Sequence, residues 1–245
     1  MAYLSLINIF LSQFLGFLIV KIIDAFKYFK NKEYRIFKGF GLHIYCGMFG
    51  SGKTSSMVRD AYLQAKKYQS LTILTNMKIF NFPKHTKIVE LENYNQIINC
   101  PKNTLILIDE ISTVFNSRDW KTDGVPAALL GTLLQVRKEN KMMYATAQRF
   151  QHVDSLIRQI TFTVKDCSCY LGRWNIIKVF NGLDYENTIG NTQKTGKLLR
   201  MYGFIQTDVV RNLYDTKEMV EKMKKSKYIT DAEALKKQSS MVINI

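Results

Sequence analysis

Short apolar runs alternate with polar segments along most of the chain, and this pattern predicts a sheet flanked by helices. Residues 104–108 (TLILI) are almost continuously apolar, which is typical of a strand buried on both faces. Similar or alternating runs predict further strands at residues 42–46, 71–75, 87–90, 141–148, 159–165 and 173–180. Helix-like spacing predicts helices at residues 55–67, 92–99, 125–139 and 153–158. The alternation of strands and helices predicts an α/β fold with a mainly parallel sheet.

The first twenty residues depart from this pattern because none of them is charged. Residues 4–23 are rich in Leu, Ile and Phe, and twenty helical residues span about 30 Å, the thickness of a bilayer core. Six basic residues follow between 21 and 40, against two acidic ones. This arrangement predicts a single membrane-spanning helix with the following domain in the cytoplasm. A helix lying on the membrane surface or packing against another subunit remains an alternative.

The pattern divides the chain into three parts. Residues 1–40 form the N-terminal helix and a basic juxtamembrane segment, residues 41–182 the α/β domain, and residues 183–245 a C-terminal extension. Residues 181–197 are polar and lack periodicity, which predicts a loop. Short charged helices are predicted further on, at residues 215–227 and 231–237.

The net charge is strongly positive, at +15 from 35 basic and 20 acidic residues. Such a balance favours anionic partners, either nucleic acid or an anionic membrane surface. A lysine-rich composition inherited from an A/T-rich genome is the alternative explanation. A small-molecule kinase is disfavoured, since such an enzyme has little use for a membrane span and this charge.

Residues 47–54 (GMFGSGKT) fit the pattern G-x-x-x-x-G-K-[ST] of a phosphate-binding loop. Glycines let the backbone wrap around phosphates with its N–H groups pointing inward. Lys53 is expected to reach the β- and γ-phosphates of ATP, and the Thr54 hydroxyl to hold Mg²⁺. A preceding strand and a following helix supply the setting that this motif requires. The predicted nucleotide-binding residues are Gly47, Gly50, Ser51, Gly52, Lys53 and Thr54.

Two carboxylates, Asp109 and Glu110, directly follow the buried strand at 104–108 and resemble a Walker B motif. Strands of an open α/β sheet deliver ligand-binding residues at their carboxyl ends. Asp109 is expected to bind Mg²⁺, and Glu110 to act as the general base on the attacking water. Gln148, at the end of a later strand, is placed to touch the γ-phosphate or the water, although a surface glutamine that begins a loop fits equally well.

The four cysteines are Cys46, Cys100, Cys167 and Cys169. A protein that uses ATP works in a reducing compartment, so structural disulfides are not expected. Cys167 and Cys169 form a lone C-x-C without a second pair at zinc-binding spacing. Packing on one face of a strand is therefore the better interpretation of this pair.

The chain resembles the zonula occludens toxin (Zot)-like ATPases of filamentous phages, members of the FtsK–HerA superfamily of DNA-pumping motors. The resemblance covers residues 41–180. It rests on the Asp109-Glu110 strand end, on the pattern F-x-x-R-x-W at 115–120, on Arg137 in a helix, on Thr146-Ala147-Gln148, and on a later segment with Asp154 and Arg158. Genome-packaging ATPases of membrane-containing tailless phages are similar in size and motif spacing.

The resemblance implies a membrane-attached ATPase that moves DNA, single- or double-stranded, or assembles virions with coat or assembly proteins. It gives weight to Gln148 as a functional residue. It also implies a homo-oligomeric ring in which a neighbour's arginine completes each site, with Arg137 favoured over Arg118 and Arg158. A structural ion pair is an equally good interpretation of any one of these arginines. The chain departs from the family where Lys138 replaces a common histidine, and where the membrane segment precedes the domain. A nucleotide-dependent membrane scaffold without translocation is the alternative function.

Overall fold

A computed structural model describes residues 2–92, 95–114, 131, 139–188 and 196–215, with side chains described from residue 13 onward except at position 34. The strands are β1 Gly41–Cys46, β2 Thr72–Thr75, β3 Lys87–Glu90, β4 Thr104–Ile108, β5 Met142–Ala147, β6 Thr161–Tyr170, β7 Trp174–Asn181 and β8 Leu198–Ile205. The helices are α1 Ala2–Lys30, α2 Lys53–Lys67, α3 Asn95–Asn99, α4 Ile111–Val114, α5 Ser155–Gln159, α6 Gly182–Thr188 and α7 Asp208–Arg211.

The strands form one sheet in the order β3-β2-β4-β5-β1-β6-β7-β8. All pairings from β3 to β6 are parallel, whereas β6–β7 and β7–β8 are antiparallel. The predicted α/β fold with a mainly parallel sheet flanked by helices is thus confirmed. The three-stranded antiparallel part, β6–β7–β8, is called the wing below.

The central strands of the sheet are buried on both faces because helices cover each side. Every residue of β4 is buried, as its continuous apolar run predicts. Successive side chains of a strand point to opposite faces. Leu105 and Leu107 accordingly pack with Met57 and Ala61 of α2, while Ile106 and Ile108 face the other cluster.

Two features near the wing differ from the predictions. Residues 182–188, expected within a loop, form α6, because the Asn181 side chain accepts hydrogen bonds from the N–H groups of Leu183 and Asp184 and so caps the helix. Strand β8 was not predicted, since seven of its eight residues are exposed or half-buried and it lacks a strong apolar alternation. The helices predicted at 125–139, 215–227 and 231–237 lie almost wholly outside the described residues.

Helix α1 stands at the N-terminus, where a membrane-spanning helix was predicted. In the part of the chain that the structure describes, no helix is long and apolar enough to cross a membrane. The predicted span over residues 4–23 is therefore not shown, and the side chains of residues 4–12 lie outside the described part. From Leu15 onward, α1 presents large apolar side chains to the surface: Leu15, Phe17, Leu18, Ile19, Val20, Ile22, Ile23 and Phe26.

Candidate functional site

The loop after β1 leads directly into α2, as the glycine motif predicts. Gly50 and Gly52 have φ angles of 74° and 79°, a left-handed conformation that glycine adopts without strain. A Cβ at Gly47 would lie 2.4 Å from Ser51 Oγ, and one at Gly52 would lie 2.5 Å from the Asn175 amide. A Cβ at Gly50 would meet only open space within 4 Å. The loop is thus pressed against its neighbours at two glycines and open at the third.

Lys53, the first residue of α2, is held by the loop itself. Its Nζ donates to the carbonyl oxygens of Gly47 at 2.8 Å and Met48 at 3.1 Å. A phosphate oxygen would bind this ammonium more strongly than a neutral carbonyl does, because the bond is then between charged groups. Nearby, the buried Ser51 hydroxyl has no hydrogen-bond partner among the described residues. A cation and an unsatisfied hydroxyl in one glycine loop fit a bound phosphate chain.

Asp109 lies just past the end of β4 and joins two threonine hydroxyls. Its Oδ1 accepts hydrogen bonds from Thr54 Oγ1 at 2.9 Å and from Thr146 Oγ1 at 2.7 Å. Because the Thr54 hydroxyl gives its proton to Asp109, its lone pairs remain available to a cation. Carboxylate and hydroxyl oxygens are the ligands that Mg²⁺ prefers. The Thr54–Asp109 pair therefore fits the predicted metal-binding role in its donor chemistry.

Hydrogen bonds also fix the backbone at this strand end. The N–H of Asp109 donates to Asn76 Oδ1 at 2.8 Å, and Asn76 Nδ2 donates back to the Asp109 carbonyl at 3.0 Å. The N–H of Glu110 donates to Thr146 Oγ1 at 2.8 Å. Glu110 itself has a φ angle of 55°, a costly conformation for a residue with a side chain. This exchange of hydrogen bonds holds Glu110 in its left-handed conformation.

The Glu110 carboxyl is half-buried, and this shifts its proton affinity. Burial raises the pKa of Glu110, and the charge of Asp109 raises it further. A hydrogen bond from the Ser112 hydroxyl (3.1 Å), the charge of Lys53 and a backbone hydrogen bond from Gln148 oppose the rise without cancelling it. A carboxylate with a raised pKa is a better proton acceptor than an ordinary glutamate.

Gln148 follows β5 and lies beside the phosphate loop. It lines a cavity of about 340 Å³ together with Cys46, Gly47 and Met48, and with residues of the segment 149–151, Asp166, Tyr185 and Thr188. The backbone hydrogen bond to Glu110 places this strand end next to the second carboxylate. The structure thus brings Lys53, Thr54, Asp109, Glu110 and Gln148 to one edge of the sheet.

The predicted arginines are placed differently. Arg137, the favoured candidate, and Arg118 lie outside the described residues. Arg158 is engaged within the chain: its Nε pairs with Glu186 of α6 at 2.8 Å, and its Nη1 donates to the carbonyl of Val153 at 2.6 Å. These contacts tie α5 to α6, which is a structural use of this arginine.

A second buried polar cluster lies under α2, between the helix and the sheet. Asp60 accepts hydrogen bonds from the hydroxyls of Tyr45 (2.8 Å) and Tyr202 and from Lys165 Nζ (3.0 Å). Burial raises the pKa of Asp60, but the charge of Lys165 and the three hydrogen bonds outweigh it, so the pKa falls below its usual range. Burial lowers the pKa of Lys165, and Asp60 opposes this shift. The cluster joins α2 to β1 and to the wing.

Sequence reasoning missed several of these residues. Thr146 and Asn76 each stand at or just after the carboxyl end of a parallel strand, and that position was the available signal. Asn175 of β7 is buried against Gly52 and donates to Ser56 Oγ at 3.3 Å. Asp60 and Lys165 carried no such signal, because Asp60 lies within α2 and Lys165 lies within β6 rather than at the end of a strand.

Comparison with solved structures gives several distant likenesses. The crystal structure of the N-terminal domain of zonular occludens toxin from Neisseria meningitidis is 16% identical, with a TM-score of 0.49 over 72% of this chain and 100% of that chain. The genome packaging NTPase B204 from Sulfolobus turreted icosahedral virus 2, in complex with AMPPCP, is 10% identical, with a TM-score of 0.47 over 66% and 97%. The flagellar accessory protein FlaH from Methanocaldococcus jannaschii is 13% identical, with a TM-score of 0.42 over 62% and 84%.

A search of the curated proteins returns no match. The family description "Zonular occludens toxin (Zot)" matches residues 41–172, which is more than half of the chain and includes the glycine loop and the acidic end of β4. The chain belongs to the zonular occludens toxin (Zot) family, and it is a P-loop ATPase.

Proposed function

We propose that the protein is a membrane-attached ATPase that drives DNA translocation during phage assembly, by packaging or by extrusion. One observation carries the proposal: a phosphate loop, a lysine, two carboxylates and a glutamine meet at one edge of the sheet. In this proposal residues 41–182 hydrolyse ATP, residues 1–40 attach the protein to the membrane, and residues 183–245 form an extension.

The glycine loop, Ser51 and Lys53 bind the phosphates of ATP. The N–H groups of the loop and of the first turn of α2 donate hydrogen bonds to the negatively charged phosphates. When ATP binds, Lys53 Nζ donates to phosphate oxygens instead of the carbonyls of Gly47 and Met48. Thr54 and Asp109 would hold Mg²⁺, which neutralises phosphate charge when it is bound. Thr146 keeps the Asp109 carboxylate in place.

Glu110 orients the attacking water and accepts its proton. Its half-buried position raises its pKa, so it takes up a proton more readily than an exposed glutamate would. Gln148 lines the neighbouring cavity and contacts the water or the γ-phosphate. In an oligomeric ring, Arg137 from a neighbouring subunit reaches the transferred phosphoryl group and stabilises its charge.

The proposed partners are inferred from the net charge of the protein and from the exposed apolar side chains of α1. A net charge of +15 suits a polyanion, and DNA is the proposed cargo. The apolar surface of α1 suits a membrane, with the ATPase domain on the cytoplasmic side. Coat or assembly proteins are further proposed partners.

The test is ATP hydrolysis by the detergent-purified full chain, alone and with single- or double-stranded DNA. Turnover that DNA stimulates, and that Lys53→Ala abolishes, supports a motor; the preferred strand form separates extrusion from duplex packaging. Lys102→Ala, at an exposed lysine, is the matched control and should keep full activity. Turnover that depends on Lys53 but ignores both DNAs would overturn translocation and favour a nucleotide-dependent membrane scaffold.

A further inference from the structure

Strand β7 of the wing places one polar side chain against the phosphate loop. On the face of β7 that packs under α2, Ile177 and Val179 are buried and apolar, whereas Asn175 is a polar residue that is only 1% exposed. Burying an amide is costly unless its hydrogen bonds are made. An apolar side chain would fill this position without that cost, so the Asn175 amide is expected to serve a specific contact.

The Asn175 amide contacts the phosphate loop at Gly52. A Cβ at Gly52 would lie 2.5 Å from Asn175 Nδ2, 2.8 Å from Oδ1 and 2.9 Å from Cγ. The amide group as a whole therefore faces the α-carbon of Gly52, and a side chain at that position would collide with it. Gly52 directly precedes Lys53, whose ammonium is placed to bind phosphate. Asn175 thus limits where the backbone before Lys53 can lie.

Asn175 also holds the first turn of α2 through Ser56. Its Nδ2 donates to Ser56 Oγ at 3.3 Å, and the N–H of Ser56 donates to the Gly52 carbonyl at 2.8 Å. Both ends of this turn are therefore in contact with one buried side chain. Lys53 and Thr54 lie between these ends, so their backbone positions depend on the same contacts.

Gln206, just past the end of β8, sets the orientation of the Asn175 amide. The Gln206 side chain is buried, and its Nε2 donates to Asn175 Oδ1 at 2.8 Å. The Gln206 backbone is in turn fixed to the start of β7, since its N–H donates to the Arg173 carbonyl at 2.7 Å and its carbonyl accepts from Arg173 Nη1 at 3.1 Å. With Oδ1 occupied by Gln206, Asn175 turns its Nδ2 toward Ser56.

The strand order places this contact on the side of β1 opposite to Asp109. Strands β4 and β7 each lie two strands away from β1, in opposite directions along the sheet. Thr54 donates to Asp109 on the β4 side, and Ser56 accepts from Asn175 on the β7 side. The first turn of α2, which carries Lys53, is thus held from both sides.

We propose that Asn175, oriented by Gln206, is a positioning residue for ATP hydrolysis. It acts through Gly52 and the first turn of α2, and so fixes the Lys53 ammonium and the Thr54 hydroxyl relative to the phosphates. Misplacing such groups by about 1 Å can cost roughly a hundredfold in rate. Nucleotide binding is shared among all the N–H groups of the loop, so kcat should depend on Asn175 more than the affinity for nucleotide does.

The test combines ATP hydrolysis by the detergent-purified full chain, titration with a fluorescent ADP analogue, and urea unfolding. Asn175→Ala should lower kcat by roughly tenfold to a hundredfold, with a smaller loss of ADP affinity. Gln206→Met keeps a side chain of similar length but cannot donate to Asn175, and it should lower kcat by a smaller factor. Ile177→Val is the matched control on the same face of β7, and it should lower the urea midpoint while kcat is kept.

A double-mutant cycle tests the path through Ser56. Ser56→Ala removes the acceptor of the Asn175 hydrogen bond and should also lower kcat. In Asn175→Ala/Ser56→Ala the loss of kcat should be smaller than the product of the two single losses, because both substitutions remove the same hydrogen bond. A loss equal to that product would mean that Asn175 does not act through Ser56, and would overturn the proposed path.

An unchanged kcat in Asn175→Ala, with only the urea midpoint lowered, would show that the amide is merely structural and that the inference is wrong. The same conclusion would follow if kcat decreased only in proportion to stability across Asn175→Ala, Gln206→Met and Ile177→Val. Should Asn175→Ala fail to fold, Gln206→Met and Ser56→Ala decide the question: lowered kcat in both folded variants supports the inference, and wild-type kcat in either overturns it.

Discussion

Asp60, under α2, and Glu110, past the end of β4, are both carboxylates withdrawn from water, but their surroundings differ. Asp60 receives hydrogen bonds from two tyrosines and a lysine, and its pKa lies below the usual range. Glu110 has its pKa raised by burial, and its backbone is held in a left-handed conformation. The first group is stabilised as a permanent anion, and the second is kept ready to gain a proton.

The two carboxylates of this small domain differ in role: Asp60 is suited to a structural role and Glu110 to a chemical one. A buried charge that is fully paired contributes to stability only through its partners, and removing one of them leaves the other unpaired. A half-buried carboxylate with a raised pKa can exchange a proton during a reaction. The comparison therefore predicts that substitution of Glu110 lowers turnover and that substitution of Asp60 lowers the free energy of unfolding.

The largest effect is expected from Glu110→Gln. Loss of the proton acceptor should lower turnover by roughly a hundredfold to ten-thousandfold, while ATP binding remains. The variant should be at least as stable as the wild type, because a raised pKa means that the ionised form is destabilised in the folded state. Single-turnover hydrolysis, nucleotide titration and urea unfolding measure the three quantities. Substantial residual turnover would remove Glu110 from the role of general base.

Asp60→Asn should lower the stability of the protein and leave turnover largely unchanged, the opposite of Glu110→Gln. It leaves Lys165 buried without its counter-charge, so the free energy of unfolding should fall by about 3 kcal/mol. Turnover per folded molecule should change little, since Asp60 does not line the site. Denaturant midpoints compare it with Asp154→Asn at the N-cap of α5, which should lose little stability because asparagine caps a helix about as well as aspartate does. The double variant Asp60→Asn/Lys165→Met should recover part of the loss. A loss that persists in the double variant would mean that the ion pair is not the cause.

The two carboxylates should also respond to pH in different ranges. A lowered folded-state pKa means that Asp60 contributes stability above about pH 4, its unfolded value, and that this contribution disappears as pH falls through the folded value. Because its pKa is raised, Glu110 should already become protonated during acidification at a pH above the ordinary glutamate pKa of about 4.3, and turnover should decline there. Turnover should therefore fall on acidification while circular dichroism still reports a folded protein. Simultaneous loss of both signals would contradict the assignment of separate roles.

The contrast between Glu110 and Asp60 also shows which residues could be predicted from the sequence and which could not. Residues that bind phosphate or metal in a P-loop domain stand at fixed positions after strands, so Lys53, Thr54, Asp109 and Glu110 could be predicted as site residues from local order alone. Asp60 and Lys165 are separated by more than a hundred positions, and each looks like an ordinary surface charge until the helix packs on the sheet. Such a pair follows only from the three-dimensional arrangement.

The wing was harder to predict for a related reason. Central parallel strands such as β4 are buried on both faces, and β4 appears in the sequence as a continuous apolar run. Strand β8 lies at the sheet edge, and among its residues only Phe204 is buried. Its place depends on pairing with β7, and Gly203 there allows close contact with the backbone of Asn175. Sequence periodicity does not report such cross-strand contacts.

The smallest effect is expected from Thr146→Val, which tests how the two acidic residues of the site are held. The hydroxyl donates to Asp109 and accepts from the Glu110 N–H, so its loss should loosen both carboxylates without removing either. Turnover should fall by roughly five- to tenfold, which corresponds to a hydrogen bond of about 1 kcal/mol. Thr104→Val is the matched control, because Thr104 is equally buried at the start of β4 and its hydroxyl donates to the Pro101 carbonyl, away from Asp109 and Glu110. If both variants lose turnover equally, general destabilisation rather than positioning of Asp109 and Glu110 explains the effect; if only Thr146→Val loses turnover, the hydroxyl positions these two groups.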